Sequence, residues 1–278
     1  DQIDFCFAGD LLNQCISSSF GLRGLNIPFF GVFGACSTFA ESLCLGSVFL
    51  DGKAASNVLC ATSSHFCSAE KQFRFPLELG NQRPPTAQWT VTGSGAAILS
   101  NTNLDKVCPQ VTYITPGKIV DMGVKDANNM GAAMAPAALD TLITHLQDTG
   151  RKPSYYDAII TGDLGYVGKE ILTEMAETKG YNIKNNYNDC GVLIFDKDAQ
   201  DTHSGGSGCG CVGSVFSGYF YRKLKEKSIN RLLLIATGAL MNSTSSQQGE
   251  SIPGIAHAIA IENLVSGDGG KKQDSANN

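Results

Sequence analysis

Several features that would place a chain quickly are scarce here. Charged residues make up 17% of the 278 positions and the net charge is −5, so there is no global attraction to nucleic acid. With 42% hydrophobic residues, the composition also argues against extensive disorder. No apolar run approaches the roughly 18 residues of a membrane-spanning helix, and no stretch of the given residues reads as a signal peptide. The ten cysteines form no paired C-x-x-C blocks, which argues against a zinc site. They are scattered through a long chain, not set in a short disulfide scaffold, and are read as thiols in a reducing compartment. No D-x-D-x-D-G loop occurs, so no dedicated calcium site is expected. The chain opens on a strand without an initiator methionine and is read as a fragment whose upstream part is missing.

What is present is repetition. Asp4 to Leu11 reads D-F-C-F-A-G-D-L, and Asp157 to Leu164 reads D-A-I-I-T-G-D-L. Gly46-Ser47-Val48-Phe49 recurs as Gly213-Ser214-Val215-Phe216, and Ala61-Thr62 ends an apolar run as Ala236-Thr237 does. The order of the matches is the same in both halves, which implies a duplicated architecture. Cys36 lies ten residues before the first G-S-V-F and His203 ten before the second. The duplication therefore predicts a cysteine and a histidine at matching helix starts.

Apolar strand-like runs alternate with helix-like segments. Strands are expected over Ile3–Ala8, Pro28–Phe33, Val58–Thr62, Val91–Leu99, Val111–Ile114, Ala158–Thr161, Val192–Phe195 and Leu232–Thr237. Helices are expected over Leu11–Phe20, Thr38–Leu50, Pro136–Gln147, Gly168–Lys179 and Cys211–Lys225. Continuous apolar strands alternating with helices predict an α/β protein with a mostly parallel sheet covered on both faces. Pro136 is expected in the first turn of its helix, where its missing N–H costs nothing. The half boundary is expected near Asp126–Gly131, giving halves 1–127 and 128–265. Residues 266–278, polar and glycine-rich, read as a disordered tail.

Cys36, in G-A-C-S-T, is the leading reactive candidate. Thr38 and Glu41 fit a capping box for the helix that follows, whose positive end favours a thiolate. A buried structural cysteine is the competing reading. His203 opens H-S-G-G-S-G, where Gly205 and Gly206 allow close backbone approach and N–H donation to an anion; an exposed histidine on a flexible loop is the alternative. His65 to Pro76, H-F-C-S-A-E-K-Q-F-R-F-P, follows a strand end, where α/β proteins bind ligands. Lys71 and Arg74 are candidates for engaging carboxylates, with Phe73 and Phe75 flanking a flat ring; an ordinary surface loop with a Glu70–Arg74 pair is the alternative. Asp10 and Asp163 are read as helix caps. Cys209 and Cys211 are read as helix packing, His145 as a surface residue and His257 as satisfied core.

The duplicated halves, with a cysteine at a buried helix start, resemble the thiolase and ketoacyl-synthase superfamily. T-G-S-G-A-A-I-L (Thr92 to Leu99) looks like its glycine-bearing strand, and H-S-G-G-S-G (His203 to Gly208) resembles the thiolase histidine motif. Longer strings narrow the resemblance. They are G-D-L-L-N-Q (Gly9 to Gln14), I-P-F-F-G-V-F-G-A-C-S-T (Ile27 to Thr38), A-T-S-S-H (Ala61 to His65), A-E-K-Q-F-R-F-P (Ala69 to Pro76), W-T-V-T-G-S-G-A (Trp89 to Ala96), D-M-G-V-K-D-A-N-N-M-G-A-A-M-A-P (Asp121 to Pro136) and I-T-G-D-L-G (Ile160 to Gly165). Together they resemble the stage V sporulation protein AD family over about residues 1–265.

The resemblance implies a thiolase-like fold with duplicated α/β halves in α-β-α-β-α layers, the first strand and helix of the N-terminal half missing. It implies a protein that binds dipicolinic acid, usually carried as its calcium chelate, during entry into the developing spore and release at germination. It also implies attachment to the inner spore membrane through partner subunits on the cytoplasmic face, and self-association through the N-terminal halves. No cofactor is expected, and calcium only within the ligand. The ligand site is expected to draw on Cys36, His65, Lys71, Arg74, Asp163, His203, Gly205 and Gly206. Departures from the superfamily point away from catalysis. Asp163 stands where ketosynthases place a histidine and thiolases an asparagine-bearing motif, and G-A-L-M-N (Gly238 to Asn242) replaces the second thiolase cysteine. An ionised Asp163 would repel a developing oxyanion. The rival expectation is an acyltransferase using Cys36 and His203.

Overall fold

The computed structural model describes residues 2–73, 80, 82–102 and 108–263. Arg74, Phe75 and the expected tail lie outside them. The first half contains Phe5–Asp10 (β1), Ile16–Leu22 (α1), Phe29–Gly31 (β2), Thr38–Asp51 (α2), Asn57–Ser64 (β3), Phe66–Phe73 (α3), Trp89–Thr90 (β4) and Gly93–Ser100 (β5). The second contains Gln110–Pro116 (β6), Met130–Thr149 (α4), Ala158–Thr161 (β7), Gly165–Thr178 (α5), Tyr187–Asp189 (β8), Cys190–Leu193 (α6), Gly206–Ser207 (β9), Cys209–Val215 (α7), Tyr221–Lys225 (α8), Arg231–Ala239 (β10), Ser243–Gln247 (α9) and Gly254–Glu262 (β11).

The two sheets repeat one plan. The first runs β2-β1-β3-β5 and the second β6-β11-β10-β7-β8. In each, the strand that leads into G-D-L (β1, β7) is parallel to both neighbours, and an antiparallel strand (β5, β11) lies beyond one of them. β6, antiparallel to β11, has no counterpart beside β5 among the described residues. It precedes the expected half boundary yet belongs to the second sheet.

Helices α2 and α7 lie between the sheets. Their apolar faces share one core with both: Phe39 and Leu43 from α2 and Val212 and Phe216 from α7 and its extension pack with Phe7, Val58, Leu232 and Ile259. Close approach there requires glycine. A Cβ on Gly95 of β5 would sit 2.2 Å from the carbonyl oxygen of Gly213 in α7. Outside the second sheet, α4 and α5 cover a separate core with Met134, Leu142, Leu146, Leu172, Ile159 and Ala258. α1 packs outside the first sheet, against β1 and β3. This is the expected α/β layering.

Local expectations fail where tertiary contacts override sequence cues. Val192–Phe195 is not a strand: Asp189 caps α6 by accepting from Gly191 N at 2.9 Å, so the run begins as helix. β11 replaces an unassigned apolar segment. α4 starts six residues before Pro136, capped by Asn129, and the proline lies inside it. His145 is not at the surface. It is fully buried, bonded through Nδ1 to Thr115 at 2.8 Å and through Nε2 to the Tyr156 hydroxyl at 2.5 Å. His257 is half-buried and accepts from Gly117 N at 3.1 Å, so its ring is satisfied at the edge of the core and not enclosed by it.

Candidate functional site

Cys36 is held in a single 3-10 turn, Ala35–Ser37, that runs into α2. Ala35 adopts φ +52°, a conformation L-residues avoid, so the turn is strained one residue before the thiol. Polar groups lock it. Ser37 Oγ donates to the Gly34 carbonyl at 2.7 Å, Thr38 Oγ1 donates to the Ala35 carbonyl at 2.6 Å, and Gly34 N donates to Thr38 Oγ1 at 3.1 Å. Thr38 thus serves the turn and not a capping box. Glu41 does not close a box either; its buried Oε2 has no hydrogen-bond partner, and burial raises its carboxyl above the ordinary value.

The thiol, 6% exposed, faces a cavity of about 30 Å³. The wall includes Leu11, Ala69 and Phe73 from the α1 and α3 side, Met130, Ala239 and Met241 from the second half, and the residues Thr90 and Ser207. Among the described residues lining it, Cys36 is the single titratable one. A second cleft of about 170 Å³ shares Leu11 and Ala69 with the first. It opens at the carboxyl ends of β1 and β3 and is lined by Asp10, Ser17, Ser63, Ser64, Ser68 and His65. This is the strand-end location at which α/β sheets bind ligands. Asp10 itself is spent on α1, accepting from Leu12 N, Ser18 N and Ser18 Oγ.

His203 is not among the residues that line the Cys36 cavity. α7 begins six residues after His203, while α2 begins two residues after Cys36. The residue two positions before α7 is Ser207, and Ser207 lines the Cys36 cavity. The spacing to G-S-V-F misleads because the glycine loop and β9 intervene. His203 lies in a turn at φ +50°, 26% exposed, with Nδ1 3.4 Å from Asp201. The glycine loop does not offer its amides to an anion as expected. Gly205 N donates to the Thr202 carbonyl at 2.9 Å, and Gly206 pairs with Trp89 in the β4–β9 ladder that joins the halves. Asp163 is fully buried and is among the lining residues of neither cavity. It is not a cap for α5: it accepts from Thr237 Oγ1 at 2.6 Å and from Gly208 N at 3.1 Å, fixing the start of α7. Asp189 caps α5 instead, accepting from Leu164 N and Gly165 N, each at 2.9 Å. Burial, and the neighbouring Asp163 charge, push its carboxyl up to about 7 against those donors.

His65 is exposed at the rim of the larger cleft, and Lys71 is exposed on α3. Glu70, on the same helix, is fully buried and receives Thr90 Oγ1 at 2.8 Å. Among the described residues it is ion-paired with Arg83, Nη1 to Oε2 3.3 Å. Arg83 lies beside the stacked rings of Phe66 and Trp89, whose centroids are 4.2 Å apart. Sequence reasoning missed Arg83 and Ser207. The one cue for Arg83 is its place before Pro84-Pro85, which stiffens the strand approach; Ser207 needed the true start of α7. None of the ten cysteines forms a disulfide, and only Cys67 and Cys108 are exposed. Among the described residues, no cluster of three or more histidine, cysteine or carboxylate side chains is placed for a metal.

Comparison with known proteins agrees with this architecture. A 3-oxoacyl-[acyl-carrier-protein] synthase III from Aquifex aeolicus superposes with TM-score 0.56 at 14% identity, covering 94% of this chain and 77% of its own. OleA from Xanthomonas campestris, solved with cerulenin, superposes with TM-score 0.60 at 12% identity, covering 94% and 73%. At these identities the likeness shows the thiolase-like fold. In sequence, stage V sporulation protein AD of Bacillus subtilis (strain 168) is 46% identical over 262 residues, 94% of this chain and 76% of that relative. The sequence model of stage V sporulation protein AD matches residues 1–262, and with nearly half the positions shared with the Bacillus relative, the chain belongs to the stage V sporulation protein AD family.

Proposed function

We propose that this sporulation protein is a non-catalytic binding subunit for dipicolinate, pyridine-2,6-dicarboxylate, taken alone or as its calcium chelate, and that it serves the ligand's entry into the developing spore and release at germination. The observation that carries the reading is the pairing of two adjoining spaces at one sheet end. One holds Cys36 with no second acid or base among its described lining residues. The other is lined by serines and His65. Condensation needs a nucleophile, oxyanion donors and a proton-transfer group in one place. At Cys36 the companions are Ser207, Thr90 and methionine, a set that suits holding over turning over. Serine hydroxyls and His65 suit carboxylate oxygens, and calcium enters as part of the ligand.

The site is expected to work beside partner subunits on the cytoplasmic face of the inner spore membrane. No helix among the described residues is long and apolar enough to cross a membrane. Self-association through the first half is part of this reading; among the described residues β2 is an edge of that half's sheet, with Phe29 and Phe30 38% and 45% exposed. A cavity of about 530 Å³ lies beside that edge, under Leu22, Leu25 and Phe29, away from Cys36.

Calorimetric titration with dipicolinate, with and without calcium, tests the reading. Saturable binding weakened by His65→Ala is the expected result. Absence of heat under both conditions would sink it. The rival acyltransferase reading predicts stable labelling of Cys36 by an acyl thioester.

A further inference from the structure

The Cys36 cavity, at about 30 Å³, is an order of magnitude below the few hundred Å³ of a small-molecule site. Something must move before a ligand enters. Ala69 and Phe73 of α3 form one side of the cavity, and Ala69 also borders the larger cleft. Withdrawal of α3 would therefore merge the two spaces. Among the described residues, that helix is held by the Phe66–Trp89 stack, the bond from Thr90 to Glu70, the Glu70–Arg83 ion pair, and two bonds at its ends, Gln72 Nε2 to Asn13 Oδ1 at 2.6 Å and Phe66 N to Thr92 Oγ1 at 3.0 Å.

Arg83 is unusual among them. Its side chain is 10% exposed, yet Nε, Nη1 and Nη2 are all buried without a hydrogen-bond partner. The Glu70 carboxylate supplies charge at 3.3 Å but not the two-pronged geometry that a guanidinium accepts. Arg83 lines neither space while α3 is in place; a planar carboxylate that reaches it as α3 moves can supply both.

Resting on the binding reading above, we infer that α3 is a lid over Cys36 latched by Glu70 on Arg83, and that the carboxylate of a flat aromatic acid opens it by taking Glu70's place on the Arg83 fork. Glu70, released, then carries α3 and Phe66 away from the cavity, and the Trp89 face that Phe66 leaves is open to the incoming ring.

The experiment compares Glu70→Gln and Arg83→Met, both folded by circular dichroism, in two assays. Iodoacetamide alkylation of Cys36, followed by peptide mass spectrometry, reads lid opening without any ligand. Both variants break the latch, so both should raise that rate by about tenfold or more. Calorimetry with dipicolinate, and with isophthalate as a second flat diacid, reads the receiver. Glu70→Gln should bind about tenfold tighter and Arg83→Met at least about tenfold weaker, as expected for one charge-assisted hydrogen bond. Unchanged alkylation in both variants overturns the latch. Equal binding by both variants overturns Arg83 as the receiver. Failure of the unchanged protein to bind either acid would defeat the dipicolinate reading and the receiver together, while the alkylation rates would still decide the latch.

Discussion

Stability should depend on pH through one buried histidine. His145 sits inside α4, its imidazole enclosed by Thr115 and Tyr156, with Arg151, Asp148 and Glu262 as the charged groups acting on it. Burial first, and then the Arg151 charge, lower its pKa from 6.5 to about 4, with Asp148 and Glu262 opposing. The folded protein therefore keeps the ring neutral where the unfolded chain protonates it. Protons bind the unfolded state preferentially between the two pKa values, so this contribution is intact above about pH 6.5 and is lost as pH falls toward 4. Linkage over that interval gives about 2.5 kcal/mol lost between pH 7.5 and pH 4.5. Urea unfolding at the two pH values, on the unchanged protein and on His145→Gln, isolates the effect. The variant should start less stable but lose about 2.5 kcal/mol less on acidification. Parallel pH dependence in the two proteins would refute the argument.

Three further outcomes follow from the packing. Gly95→Ala should destabilise by about 3 kcal/mol or more in chemical denaturation, because the new Cβ meets the Gly213 backbone at 2.2 Å and backbone cannot yield as a side chain does. Arg151→Met should cost about 3–5 kcal/mol, since it strands the Glu262 carboxylate, 4% exposed, without its 2.7 Å partner; adding Glu262→Leu should recover much of the loss. A thiol reagent should find two fast cysteines in the native protein, Cys67 and Cys108, and all ten after unfolding; an early third reaction would contradict the burial of the other eight, and peptide mapping would say which.

Much of the architecture was legible because burial wrote it directly into the sequence. Ala158–Thr161 was recognised with its true bounds: a strand covered on both faces must be apolar throughout. The duplicated G-D-L and G-S-V-F strings located equivalent strands and the two central helices. Function at a distance left weaker traces. Ten-residue spacing paired Cys36 with His203, but only the fold reveals that a loop and β9 shift the second helix, so that Ser207 stands opposite the thiol. His145 looked superficial because α4 is apolar on nearly every side, leaving no polar face to contrast with it. Val192–Phe195 looked like a strand because its helix is dictated by Asp189, outside the apolar run. Arg83 was invisible because its importance comes from Glu70 and Trp89, neither of which is near it in a pattern of fixed spacing.

The middle layer of the fold is built from one helix of each half. During synthesis, α2 leaves the ribosome more than 150 residues before α7, a delay on the order of ten seconds at ordinary elongation rates. Through that interval the faces of Phe39 and Leu43 that will meet Val212 and Phe216 have no native cover. The first half is thus obliged to wait for the second, and a nascent chain halted between them is the state most in need of a chaperone.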